Sequence, residues 1–134
     1  MHEHPAARTA LAAMQAVTRG DREAWLACYR DDAVLHDPVG GSPLDPGGAG
    51  LRGTRALQDF WDLTIAPNDV AFTVAAVHPA GDEAAVVASV TIRFPGGNAV
   101  SYDGVFVYRV DEAERVASVR AYWDLQRVLS ALGA

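Results

Sequence analysis

At 134 residues the chain is the length of one domain, expected here to span 1–134 and able to bury roughly two thirds of its unfolded surface. A formal charge of −6 and the absence of any lysine exclude a surface built to grip a nucleic-acid backbone, which depends on clustered Lys and Arg. Half of the residues are hydrophobic, yet no apolar run approaches the ~20 residues that cross a bilayer, and the start lacks the basic and apolar stretches of a signal peptide. A cytoplasmic protein without membrane contact is expected.

From the N-terminus, Met1 to about Pro5 reads as a loose arm. Ala6 to Thr18 is Ala-rich, with Leu11, Met14 and Val17 at helical spacing, and Gly20 ends that helix. Asp21 is placed to cap a second helix running through Trp25, Cys28 and Tyr29, whose three- and four-residue steps share one face. Arg19-Gly20-Asp21 is therefore a turn between helices rather than an adhesion signal. Cys28 is the only cysteine, so no internal disulfide can form, and its apolar surroundings make it a small core side chain.

Ala33 to His36 reads as a short strand, Pro38 to Gly53 as a long loop of turn residues, and Thr54 as the cap of a third helix through Leu57, Phe60, Trp61 and Ile65. Pro67-Asn68 breaks that helix. Four long strands follow, Val70 to Val77, Ala84 to Phe94, Val100 to Val110 and Val116 to about Leu125, joined by turn-rich segments. Helices first and a meander afterwards indicate an α+β fold. In the third of these strands alternation puts Tyr102, Gly104, Phe106 and Tyr108 on one face, with Ser101, Asp103, Val105, Val107 and Arg109 on the other. Neither face is purely polar, which suits a sheet with a cavity on one side and a partner on the other.

The chemistry-bearing candidates are few. Asp37 closes an apolar run just before a proline- and glycine-rich loop, a place from which a carboxylate can face a cavity. It can equally open an Asp-Pro turn and bind nearby backbone amides. Gly48-Ala49-Gly50-Leu51-Arg52-Gly53 spells G-x-G-x-x-G but follows Pro46-Gly47 instead of a strand, so it does not read as a dinucleotide site. His2-Glu3-His4 is a terminal pair, and His36 and His78 have no carboxylate or histidine at ligand spacing, so no metal is expected. Alternation turns His36 away from Asp37, leaving it without a catalytic role.

The segments from Gly20-Asp21 through Trp25, Cys28 and Tyr29, then Asp31 to Gly40, Gly50-Leu51-Arg52-Gly53, Phe60-Trp61-Asp62 and the closing Val119-Arg120-Ala121-Tyr122-Trp123, together resemble the ketosteroid isomerase branch of the SnoaL-like, or nuclear transport factor two-like, superfamily. The resemblance runs from roughly Leu11 to Leu125. It implies a cone-shaped, curved mixed sheet wrapped round the N-terminal helices, with a closed end and an open mouth. It also implies a homodimer formed through the sheet and chemistry that needs no cofactor.

On that resemblance Asp37 is the general base that moves a proton between the α and γ carbons of an unsaturated ketone, while oxyanion donors hold the dienolate. A carboxylate desolvated in an apolar cone has a raised pKa and greater basicity toward a carbon acid. The oxyanion donors depart from the family pattern: Ala13 stands at the tyrosine's position and Phe106 at the protonated aspartate's, with Asp103 of the wrong parity unless a bulge intervenes. Losing two such donors removes as much as ~6–8 kcal/mol of transition-state stabilisation.

Tyr29 and Trp61 match positions behind the family's tyrosine donor, and Trp123 matches a pocket-lining aromatic; each is a substitute donor or simply packing. Asp62 matches the acidic helix residue that pairs with the conserved aspartate in polyether epoxide hydrolases and cyclases of the superfamily. The expected pocket is apolar, walled by Trp25, Tyr29, Phe60, Trp61, Phe106, Tyr108 and Trp123, and suited to a small lipophilic ligand. Three functions follow: isomerisation of a steroid- or polyketide-type ketone with Asp37 as base, acid–base opening or cyclisation of an epoxide by Asp37 with Asp62, or binding of a hydrophobic ligand without catalysis.

Overall fold

The structure is a computed structural model that describes residues 3–133. Helix α1 (Pro5–Arg19) starts where Pro5 supplies a pre-set φ and His4 Nδ1 accepts the Ala6 N–H at 3.2 Å. Of the expected loose arm, Met1 and His2 lie outside the described residues, while His4 and Pro5 belong to the helix start. Gly20, at φ 69°, ends α1 by letting its own N–H reach Val17 O and that of Asp21 reach Ala16 O. The buried face of α1 carries Ala6, Ala7, Ala10, Ala13 and Ala16, side chains small enough for the helix to lie close on the sheet.

Helix α2 (Arg22–Ala27) is capped as expected, with Asp21 Oδ1 accepting the Ala24 N–H at 3.1 Å. It is shorter than its apolar spacing predicts. The Cys28 carbonyl accepts the Val116 N–H at 2.8 Å, so Tyr29 begins a strand, β1 (Tyr29–His36), instead of closing the helix. Within the long loop, β2 (Leu51–Arg52) adds a short antiparallel strand to the outer edge of β1. Gly50 at φ 92° makes that approach possible, because a Cβ there would stand 2.6 Å from Val34 Cγ1 and 2.9 Å from the His36 ring.

Helix α3 (Thr54–Phe60) is preceded by Gly53 in the cap position without a side-chain cap, so Thr54 is its first helical residue and not its cap. It continues into one π-helical turn, Trp61–Ile65, closed by the Ala66 N–H on Trp61 O at 2.9 Å. The strands β3 (Asp69–Ala80), β4 (Glu83–Arg93), β5 (Ala99–Val110) and β6 (Val116–Tyr122) follow, with the expected turns between them. A last helix, α4 (Leu125–Ala131), occupies residues read from sequence as strand end and tail; Asp124 caps it through the Arg127 N–H at 3.2 Å.

The six strands form one mixed sheet in the order β2-β1-β6-β5-β4-β3, antiparallel except for the β1–β6 pair. The first strand thus inserts beside the last, and the α+β architecture expected from the sequence is the one observed. Alternation holds on β4, where Ala84, Val86, Ala88 and Val90 are buried, and on β5, where Phe106 and Tyr108 are buried while Val105 and Asp103 face outward. The inner face of the sheet, the buried side of α1, and Trp25, Leu57 and Trp61 enclose the core. No helix among the described residues is long and apolar enough to cross a membrane.

Candidate functional site

Between the inner sheet face and the helices lies a cavity of about 280 Å³. Its wall is almost wholly apolar, drawing Trp25 from α2, Phe60 from α3, Phe72, Val90 and Phe106 from the long strands, and Leu44 from the loop over the mouth. Such a lining with few polar groups is the usual make-up of a small-molecule site. The polar side chains that reach it are Asp37, Tyr29, Tyr102, Tyr108, Trp123, Ser42 and Thr64.

Asp37 is fixed by the strand pairing around it. β1 and β6 run parallel with Leu35 opposite Val119 and His36 opposite Arg120; past the cis Asp37–Pro38 bond, the Val39 N–H returns to Ala121 O at 2.8 Å. The side chain lies on the cavity face, and Trp123 Nε1 donates to Asp37 Oδ1 at 2.7 Å. No backbone amide binds the carboxylate among the described residues, so the alternative of an Asp-Pro turn saturated by amides is not the arrangement found. Burial raises the Asp37 pKa above the ordinary aspartate value, with the Trp123 hydrogen bond pulling in the other direction.

Three phenols share the cavity with that carboxylate. Burial raises the pKa of Tyr29, Tyr102 and Tyr108, and the charge on Asp37 adds to the rise in each, so all three are protonated donors at neutral pH. Tyr102 lies against Trp123 with ring centroids 4.5 Å apart, while Tyr29 lies against Trp25 at 4.8 Å. Strand alternation placed Tyr102 and Tyr108 on the right face, but reading the sequence for family donor positions passed over both as hydrogen-bond donors.

Of the expected site residues, the cavity brings together Asp37, Trp25, Tyr29, Phe60, Phe106, Tyr108 and Trp123. Trp61 is a correction: it is buried against Trp25 at 5.4 Å and borders a separate cleft beside Val17 and Asn68 instead of the cavity. The Phe60 and Trp61 rings both pack on Trp25, but Phe60 lines the cavity while Trp61, where the π turn begins, borders the cleft. Asp62 is a second correction. It stands outside the cavity, gripped by Arg22, with Nε on Oδ1 at 2.9 Å and Nη2 on Oδ2 at 3.2 Å, so it cannot pair with Asp37 in this arrangement. Asp103 likewise faces outward, accepting from the Ser89 hydroxyl at 2.7 Å. Leu125 also lines the mouth; it opens α4, whose local signal is the Asp124 cap with the Leu125 and Val128 spacing, where the sequence leads one to expect the end of a strand.

Among the described residues no group of three or more His, Cys, Asp or Glu side chains converges as a metal site would.

Comparison with known proteins agrees with this geometry. The model of the SnoaL-like domain matches residues 10–119. The Mycobacterium tuberculosis protein RV0760c, solved in complex with estradiol-17β-hemisuccinate, is 36% identical with a TM-score of 0.88, over 92% of this chain and 97% of that one. The Δ5-3-ketosteroid isomerase of a Mycobacterium species is 37% identical with a TM-score of 0.87, over 92% and 95% of the two chains. A computationally designed 17-OHP binder is 33% identical with a TM-score of 0.88, over 92% and 96%. No curated protein matches the sequence. The chain belongs to the SnoaL-like domain family, among the relatives of ketosteroid isomerase.

Proposed function

We propose that this protein binds a small lipophilic ketone of steroid or polyketide type and isomerises it by proton transfer without a cofactor, Asp37 acting as the base. One observation carries the reading: a carboxylate desolvated in an apolar cavity, held by an indole N–H and, among the described residues, by no cation. A carboxylate so placed is a stronger base toward carbon than one in water. The steroid named with one relative and the ketosteroid isomerase activity named for another support the ligand class.

In the proposed step the Asp37 carboxylate takes a proton from the carbon between a carbonyl and a β,γ double bond. The C–H pair becomes the dienolate, charge gathers on the carbonyl oxygen, and Asp37 returns the proton to the γ carbon. Nothing is oxidised or reduced. The second oxygen, Oδ2, has no protein partner among the described residues and is the one available to the substrate.

The test is to incubate the protein with a β,γ-unsaturated 3-ketosteroid and follow the conjugated enone, with Asp37→Asn beside the wild type. Turnover in the wild type that the substitution abolishes is the expected result. Tight binding without turnover would instead favour ligand binding alone, a reading that Ala13 and Phe106 at the family's donor positions support. The epoxide-opening alternative loses its second carboxylate to the Arg22 pair.

A homodimer through the outer sheet face is part of the same proposal. There Val87, Val105 and Tyr122 remain exposed and adjacent, Val105 pairing with both of the others. A monomeric mass in sedimentation at working concentrations would refute it.

A further inference from the structure

With the family's two donor positions held by Ala13 and Phe106, a dienolate formed over Asp37 needs another partner for its oxygen. The register of the sheet locates one. Across β6, Phe106 pairs with Ala121 and Tyr108 with Val119, while Leu35 of β1 pairs with Val119 from the other side. The Val39 N–H on Ala121 O puts the Asp37 segment at the level of Phe106. Tyr108 therefore lies two residues deeper along the same face, a step of roughly 6.5 Å. Tyr102 and Trp123 lie on the opposite side of Asp37, toward the half-exposed Leu44 and Leu125 at the mouth. The deep end is the enclosed one, where Trp25, Tyr29 and Tyr108 are all buried.

We propose that the Tyr108 hydroxyl, presented from β5 at the closed end of the cavity, donates to the ligand's carbonyl oxygen, with Tyr29 behind it as a positioning residue. The inference rests on the isomerase reading above and supplies the donor which that reading lacks. A carbonyl that enters first meets Tyr108, and the carbon acid a few bonds away comes under Asp37. The rest of the ligand then points to the mouth, past Tyr102 and Trp123.

The surroundings of Tyr108 suit the role. Trp25 and Tyr29 pack with ring centroids 4.8 Å apart and planes tilted by 57°; against the larger effect of burial, Trp25 acts to lower the Tyr29 pKa and Tyr29 acts to lower that of Tyr108. Each acts in the sense that favours negative charge on the receiving oxygen, as a donor for charge developing on a substrate should be supported. Neither Tyr29 nor Tyr108 is drawn away by a carboxylate or backbone hydrogen bond among the described residues. Tyr102, packed against Trp123 nearer the mouth, lies on the wrong side of the base to hold the same carbonyl.

The enone of a conjugated 3-ketosteroid such as progesterone reports the hydrogen bond directly, because donation to its carbonyl moves the ultraviolet band to longer wavelength. Wild type is expected to shift the band on binding. Tyr108→Phe is expected to bind without the shift and to isomerise the β,γ-unsaturated substrate about 10²–10³-fold more slowly. Tyr29→Phe is expected to give an intermediate shift. A full shift persisting in Tyr108→Phe, or one abolished instead by Tyr102→Phe, would overturn the assignment.

Turnover by a wild type that binds the enone without any shift would overturn the donor and leave the isomerase reading standing. A wild type with neither binding nor turnover would overturn that reading, and the donor with it. Should Tyr108→Phe fail to fold, 3-fluorotyrosine at position 108, a more acidic donor, is expected to move the band further; an unchanged band would refute the proposal.

Discussion

Asp37→Asn separates a carboxylate kept for chemistry from one kept for structure, because the two roles predict opposite signs for stability. Desolvation is the larger influence on Asp37 and raises its folded pKa, while the Trp123 hydrogen bond only partly offsets it. A carboxyl with a folded pKa above its unfolded value destabilises the fold once it is ionised. That penalty is absent below the unfolded pKa of ~3.9, where both states hold the proton. It grows as pH rises through the folded pKa and is constant above it.

Asparagine keeps the shape and an Oδ1 that accepts from Trp123 Nε1, a bond of 2.7 Å in the native protein. The bond becomes neutral and the ionisation penalty, about 1.4 kcal/mol for each unit by which burial outweighs the Trp123 bond in the folded pKa, disappears. The net expectation at pH 7 is a more stable variant, each kcal/mol gained raising Tm by about 3–5 °C for a domain of this length. Urea unfolding of both proteins between pH 4.5 and 8 measures it. The gap should widen with rising pH and then level off. A variant less stable than wild type at neutral pH, or a gap that does not change with pH, would show that the carboxylate is structural and refute the reasoning.

Trp123→Phe removes the indole donor to Asp37 Oδ1, so the acidic limb of the turnover profile should move to higher pH, and stability at pH 7 should fall by about 1.5–3 kcal/mol; an unmoved limb in a pH–rate series would contradict this. Asp62→Asn breaks only a half-exposed pair with Arg22, so it should cost less than about 1 kcal/mol in chemical unfolding and leave enone formation unchanged. A large loss of activity would restore the acid–base pair. Gly50→Ala puts a Cβ at 2.6 Å from Val34 Cγ1 at a φ of 92°, and a loss of about 2 kcal/mol or more is expected, read from the unfolding midpoint. Asp124→Ala should cost about 1 kcal/mol by uncapping α4 and weaken ligand binding through Leu125, measured by calorimetry.

Much of this protein is written in local patterns. Alanine and apolar spacing with Gly20 and Asp21 specify the helical hairpin, and period-two alternation specifies β4 and β5 down to the faces that Tyr102, Phe106 and Tyr108 share. Asp37 could be singled out because a lone carboxylate between an apolar strand and a Pro-Gly loop is a local feature, and the family resemblance rested on such features. Several departures from the sequence expectation have one cause, a contact distant in sequence, whereas α4 is signalled locally by Asp124 and the Leu125, Val128 spacing. Cys28 and Tyr29 leave the helix because Val116 hydrogen-bonds there, and Asp62 turns outward because Arg22, forty residues earlier, holds it.

Local order along the chain thus specifies α1, α3, the long strands, the family and the identity of the buried carboxylate, since propensity, periodicity and turn chemistry act between neighbours. Long-range packing sets the rest: Trp123 donates to Asp37 across 86 positions, Trp61 and Asp62 stand outside the cavity, and Tyr108 and Tyr29 lie at its buried end. The insertion of β1 beside β6 sets Asp37 against Trp123 and levels Leu35 with Tyr108, while Arg22 sets the placement of Asp62. A parallel pairing between the first and last strands leaves no local trace, because its register is fixed by packing of the whole sheet.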